Sequence, residues 1–224
     1  MNLTGTKTDF KRVVNSGILG ISIDQIYNWW STQGPQYYLM AQLAWDPKKD
    51  PDQILDDYCS SGFGPAAGEI KSYLDMVDKA WQGMVKDKKE WVDVFSDAFF
   101  AEADSVMQKA TDKAKNDPEI LARIGFIRAG LEYLRINTEN QALAKKLIQT
   151  KGDSSGILKE MRVNWNKLET LSKQYPEAFP FKDRDPRLDY IHPDADHKAL
   201  EEKRIAKENY KKRQAKMALD DGLE

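Results

Sequence analysis

Asp24, Tyr27, Asn28, Trp29 and Trp30 place a carboxylate, a phenol, an amide and two indoles within seven consecutive positions. Sugars present apolar C–H faces and rings of hydroxyls, so aromatic platforms beside a carboxylate and an amide are the groups a carbohydrate subsite needs. Asp24, Asn28, Trp29 and Trp30 are therefore the candidate substrate-binding residues. The competing reading of the two indoles is that they seal a junction between packed elements. Tyr37, Tyr38 and Trp45, further along, read chiefly as packing residues.

Little else in the chain has the spacing of chemistry. His192 and His197 are its only histidines, and with Asp194 and Asp196 they match no zinc pattern, so neither a metal nor a cofactor is expected. No Gly-rich phosphate loop, nucleophile elbow or serine-histidine-aspartate order occurs. Asp56 and Asp57 read as surface charge. The single cysteine, Cys59, excludes an intrachain disulfide and reads as a small buried hydrophobe beside Tyr58. Hydrolysis of a glycosidic bond needs carboxyl groups on both sides of it. Asp24 has no second partner here, so no catalytic residue is assigned and the chain alone is expected to be inactive.

The elements that must position Asp24 to Trp30 follow from the flanking pattern. Asp9 to Asn15 has helical character and Ser16-Gly17 is a helix stop. Ile18 to Ile23 is short, isoleucine-rich and without alternation, which predicts a strand buried on both faces. Asp24 would then stand at the C-terminal end of a strand, where parallel barrels carry their ligand-contacting residues. Trp29 and Trp30 would lie in the following loop. A helix over Tyr37 to Trp45 is stopped by Asp46-Pro47.

From Asp50-Pro51, an N-cap followed by a first-turn proline, the pattern is helical throughout. The first helix runs to about Ser60 and turns at Gly62-Phe63-Gly64-Pro65. Apolar stripes at spacings of three and four then recur. They are Ile70, Tyr73, Leu74, Val77, Ala80, Trp81 and Met84; Phe99, Ala103, Val106, Met107, Ala110 and Ala114; Ile120, Ile124, Ile127, Leu131 and Leu134; and Leu158, Met161, Trp165, Leu168, Leu171 and Tyr175. They predict an up-and-down helical bundle over roughly 65–176. Pro176, Pro180, Pro186 and Pro193 break the chain after it, with Phe179 and Phe181 stapling this segment to the bundle. Asp196 to Leu219 reads as a solvated or frayed charged helix, the alternative being a docking helix for a partner.

Composition limits the partners. The chain has 224 residues, 41% hydrophobic and 31% charged, with 34 basic against 36 acidic side chains and a net charge of -2. No cationic excess exists to neutralise phosphates or anionic lipid, so neither nucleic acid nor a membrane is an expected partner. No apolar run reaches the ~18 residues of a membrane span. The stretch Met1 to Arg12 lacks the apolar core of a signal peptide, and the sequence leaves localisation open.

The run from Tyr37 to Asp78 carries a resemblance. A tyrosine-rich helix, the step Trp45-Asp46-Pro47, an acidic helix ending in Phe63-Gly64-Pro65-Ala66-Ala67, and a long helix with Tyr73 near its start resemble a bacterial family known as domain of unknown function 4838. In that family the segment lies at the end of large proteins similar to α-glucuronidases and hexosaminidases, with a TIM barrel followed by helices. The resemblance implies a mainly α chain, a helical bundle preceded by one strand and helix that form the last β/α unit of a truncated barrel. It divides into 1–46, the terminal barrel unit; 47–180, a helical domain; and 181–224, the proline-broken segment and charged tail. It also implies a C-terminal fragment of a glycoside-hydrolase-like protein acting on polysaccharide or glycoconjugate. The acid/base carboxylates would sit on earlier strands, a missing N-terminal barrel would be the main partner, and a secreted or periplasmic parent would fit. Asp24 and the Trp29-Trp30 loop would be part of a subsite wall. The alternative is a non-enzymatic, all-helical interaction module.

Overall fold

The computed structural model of the chain describes residues 1–18, 20–22, 29–179 and 192–199, together with 202, 203, 205, 206, 209 and 210. Eight α-helices occur among the described residues up to Gln174: α1 (Leu3–Asn15), α2 (Trp30–Trp45), α3 (Pro51–Phe63), α4 (Ala67–Asp87), the single turn α5 (Trp91–Val94), α6 (Asp97–Lys113), α7 (Pro118–Gln149) and α8 (Ser155–Gln174). The mainly helical class follows directly from the stripes and caps.

Several helix starts are set by short polar side chains. Asp50 accepts from the backbone N–H groups of Asp52 and Gln53, at 2.7 and 3.3 Å, and so starts α3. Asp117 does the same for α7 through Glu119 and Ile120, both at 3.1 Å. The α3–α4 connection is a 3-10 turn, Gly64–Ala66, entered at Gly64 with φ of +47°, a conformation glycine adopts without a Cβ penalty. Lys88 ends α4 in the left-handed region, at φ of +53°.

Two starts come earlier than the sequence pattern indicates. Helix α1 begins at Leu3, well before Asp9, because Asn2 caps it locally and Asp78 of α4 caps it from afar. Helix α2 begins at Trp30, ahead of Tyr37, so Trp30 is its first helical residue and not part of a loop. Pro35 lies inside α2 and removes the N–H that would bond the Ser31 carbonyl. That start is held by tertiary contacts: the Ser31 N–H and hydroxyl both donate to the Ala178 carbonyl, at 3.0 and 2.6 Å.

The strand expected over Ile18 to Ile23 is absent among the described residues. Ile18, Gly20, Ile21 and Ser22 lie outside any regular element, and Ile18 and Ile21 are 53% and 40% exposed. A strand needs a neighbour for its backbone donors and acceptors, and no described segment supplies one. Leu19 and Ile23 lie outside the described residues.

The chain forms two compact units, Met1–Thr138 with Lys167–Lys182, and Glu139–Asn166 with Asp183–Glu224. In the first, α4 packs against α3, α5, α6 and α1, and α2 lies against α1 and α3. Its core joins Leu39, Leu55, Ile70, Met107, Ile124 and Ile127, all at most 2% exposed. The α6 stripe is rotated slightly from expectation, with Phe100 buried and Phe99 packed at its margin. Phe179 is buried, as a staple requires, while Phe181 lies outside the described residues.

In the second unit Leu143, Ala144 and Met161 form a smaller core. Beside it the Asn164 amide donates to Asn140 Oδ1 and Glu139 Oε2, at 3.1 and 3.0 Å. Arg162 pairs with Asp194. The charged tail is helical at its described positions, where Ile205 and Tyr210 are exposed.

Candidate functional site

Trp29 and Trp30 stand at the N-terminal end of α2 and face different neighbours. Trp29 is its N-cap residue, its carbonyl accepting from the N–H groups of Thr32 and Gln33 at 3.2 and 2.7 Å. Its half-buried indole meets Tyr133 of α7 edge-on at 5.0 Å between ring centres, and Tyr133 in turn tilts onto Phe179 at 4.7 Å. This stack fixes the start of α2 on α7. Close approach there depends on Gly130: a Cβ at that position would lie 2.8 Å from Ser31 Oγ and 3.0 Å from the Ser31 carbonyl oxygen.

Trp30 is the ring turned to solvent. It is 40% exposed and meets Tyr37, about two helical turns further on, edge-on at 5.2 Å. The Tyr37 hydroxyl donates to Gln33 Oε1 at 2.9 Å, and partial burial raises its phenol above the ordinary tyrosine value. Trp30, Tyr37 and Gln33 thus combine an open apolar ring with a hydroxyl and an amide, the chemistry of a sugar platform. Asp24 and Asn28 lie outside the described residues. Trp45 ends α2 almost fully exposed, at 89%.

A second concave surface was not signalled by the sequence. Tyr38, Tyr58, Phe63, Phe126, Ile127 and Arg123 line a mostly apolar cleft of about 390 Å³. The Tyr38 hydroxyl donates to Asp57 Oδ2 at 2.7 Å, and that bond raises the phenol and holds the Asp57 carboxyl below the usual carboxylate value. Arg123 donates to the Gly62 carbonyl and pairs with Glu119. Asp56 pairs with Lys71 at 2.6 Å, so the two neighbouring aspartates serve different surface contacts. A tyrosine on α2 and an acid nineteen positions later carry no periodic signal that could have joined them.

The two histidines are committed to their own turn. His192 Nδ1 accepts from the Asp194 N–H at 3.1 Å, and its ring meets Trp165 at 4.3 Å. His197 is 5% exposed and its Nε2 lies 2.9 Å from the His192 carbonyl, to which only an N–H can donate. Burial lowers His197 below the ordinary histidine value. Among the described residues no group of three His, Cys, Asp or Glu side chains is placed to hold a metal ion, and no helix is long and apolar enough to cross a membrane.

Residues 2–75 match the family model of a domain of unknown function (DUF4838). The matched stretch contains the tyrosine-rich helix, Trp45-Asp46-Pro47, the Phe63 to Ala67 turn and Tyr73, and it covers α1 to α3 and the first part of α4. Neither the curated proteins nor the solved structures provide a match.

Proposed function

We propose that this chain is the helical support segment of a glycoside-hydrolase-like protein acting on polysaccharide or glycoconjugate, in which Trp30 and Tyr37 form part of the sugar-subsite wall. The observation that carries this reading is the exposure of Ile18 and Ile21 between α1 and α2. Two isoleucines left open to water, outside any regular element among the described residues, are suited to joining a sheet supplied by another domain. A barrel edge offers such a sheet, and pairing there would bring the start of α2 to the C-terminal rim where barrel ligands bind. The chain contributes packing and one ring platform, while the bond-cleaving carboxylates belong to the barrel. On this reading residues 1–46 form the barrel's last β/α unit.

The all-helical interaction module is the second reading. It is favoured by the core from Leu3 to Leu134, which closes without a sheet among the described residues.

Oligosaccharide binding by the intact natural protein separates the two. A panel of gluco-, xylo- and chito-oligosaccharides is titrated against the protein and its Trp30→Ala and Trp29→Ala variants. Trp30→Ala weakens binding about tenfold, as expected for loss of a stacking ring, and Trp29→Ala lowers stability more than affinity. Unchanged affinity in a folded Trp30→Ala protein rejects the sugar-wall role.

A further inference from the structure

We propose that the cleft beside α6, α7 and the end of α8 is a second binding site, for a neutral polyol of single-sugar size. It is independent of the Trp30 platform and stands or falls separately from the function proposed above. The cleft encloses about 290 Å³ and is lined by Asp104, Gly125, Arg128, Glu132, Gln174 and Tyr175, among others. That volume is at the lower limit of small-molecule pockets, about 300 Å³, and suits one ring, not a chain.

Gly125 lets the Tyr175 hydroxyl approach α7 closely at the edge of the cleft. A Cβ built on Gly125 would stand 3.2 Å from the Tyr175 hydroxyl oxygen, so any larger residue would push the tyrosine or fill the opening. One wall is rigid. Arg135 Nη2 donates to both carboxylate oxygens of Asp104 at 2.8 Å, its Nε donates to Glu132 Oε2 at 3.1 Å, and its guanidinium lies 4.6 Å over the Phe100 ring. This network holds both carboxylates in fixed orientations.

The other wall has unused hydrogen-bonding capacity. Among the described residues, no protein group hydrogen-bonds the side chains of Arg128, Gln174 or Tyr175, and Glu132 Oε1 is likewise unpaired. Together they offer donors from a guanidinium, an amide and a phenol, and acceptors from an amide, a phenol and a carboxylate. Hydroxyl groups both donate and accept, so adjacent hydroxyls on one ring match this mixture. Charge argues the same way. Arg128 and Arg135 balance Asp104 and Glu132, so an anion would meet the two carboxylates and a cation would meet Arg128, while a neutral polyol disturbs neither.

The test is saturation-transfer NMR and calorimetric titration of the full chain with D-glucose, D-galactose and D-mannose in turn, with D-glucuronate and inorganic phosphate as anionic probes. At least one neutral hexose binds saturably. Arg128→Ala weakens that binding about tenfold or more, the fold-change expected on losing a hydrogen bond from a charged group, and Gly125→Leu abolishes it. Trp45→Ala, at an exposed ring given no binding role, leaves it unchanged. Arg128 is surface-accessible, so its variant keeps the test decisive even where Gly125→Leu perturbs folding. The proposal is overturned by absence of saturable hexose binding, by binding of glucuronate or phosphate alone, by affinity insensitive to Arg128→Ala, or by affinity lost in Trp30→Ala, which would place the sugar at α2.

Discussion

Cys59 shows how burial alone sets a side chain's chemistry. It is 2% exposed within the α3–α4 core, and burial pushes its thiol up to about 11, while the neighbouring Tyr58 rises to about 12 for the same reason. The thiolate is the reactive form, so native Cys59 is expected to be inert to a disulfide exchange reagent at pH 8 and to react fully in denaturant. The stability consequence has a definite sign. The unfolded thiol loses its proton near the ordinary value of 9.0, whereas the folded one keeps it to about 11, so the native state binds more protons in that window and stability falls as pH rises through it. Denaturant titrations from pH 8 to 11 should show Cys59→Ala with a shallower decline than the parent chain; equal slopes would mean that the thiol does not contribute. The burial of Cys59 was readable from its place between apolar helix positions. The different environments of Trp29 and Trp30 were not, because adjacent indoles look alike in sequence and only the position of Tyr133 and Phe179 tells them apart.

At the scale of elements, local caps were legible and remote ones were not. Asp50-Pro51 and Asp117-Pro118 announce α3 and α7 by spacing alone. The start of α1 depends on Asp78, whose Oδ1 accepts from the Leu3 and Thr4 N–H groups at 2.7 and 3.2 Å and whose Oδ2 accepts from the Thr4 hydroxyl at 2.6 Å. No sequence rule links residues 3 and 78. Asp78→Ala is expected to cost about 2 kcal/mol, the upper end of the range for a lost cap. Amide exchange should then quicken across α1 and far less in α6; uniform quickening would make Asp78 a general stabiliser and not a cap. The Ile18 to Ile23 segment illustrates the opposite error. Its composition is strand-like, yet composition specifies a strand only where a partner strand exists, and the described chain offers none.

Among the described residues two apolar cores of unequal size occur, and the stripes on α4, α6 and α7 make the larger one legible in the sequence. The smaller one was harder to read because polar side chains are buried beside it: Asn140 and Asn164 are 0% and 6% exposed and bond to each other. Buried amides are tolerated when their partners are in place and become costly once a partner moves. Loosening the second core should therefore act on that unit first. Met161 is completely buried against Leu143 and Ala144 with Leu147 and Ile157 around them, so Met161→Ala removes most of the side chain from a small cluster. A loss of about 2 to 4 kcal/mol is expected from the lost burial and the cavity left behind. Compact units open separately when their cores are separate. Native-state hydrogen exchange should show this loss at 139–149 and 155–166, with protection in α3, α4 and α6 nearly unchanged. An equal loss at both sets of amides would mean that the two units unfold as one, and the stability of each could then not be assigned to its own core.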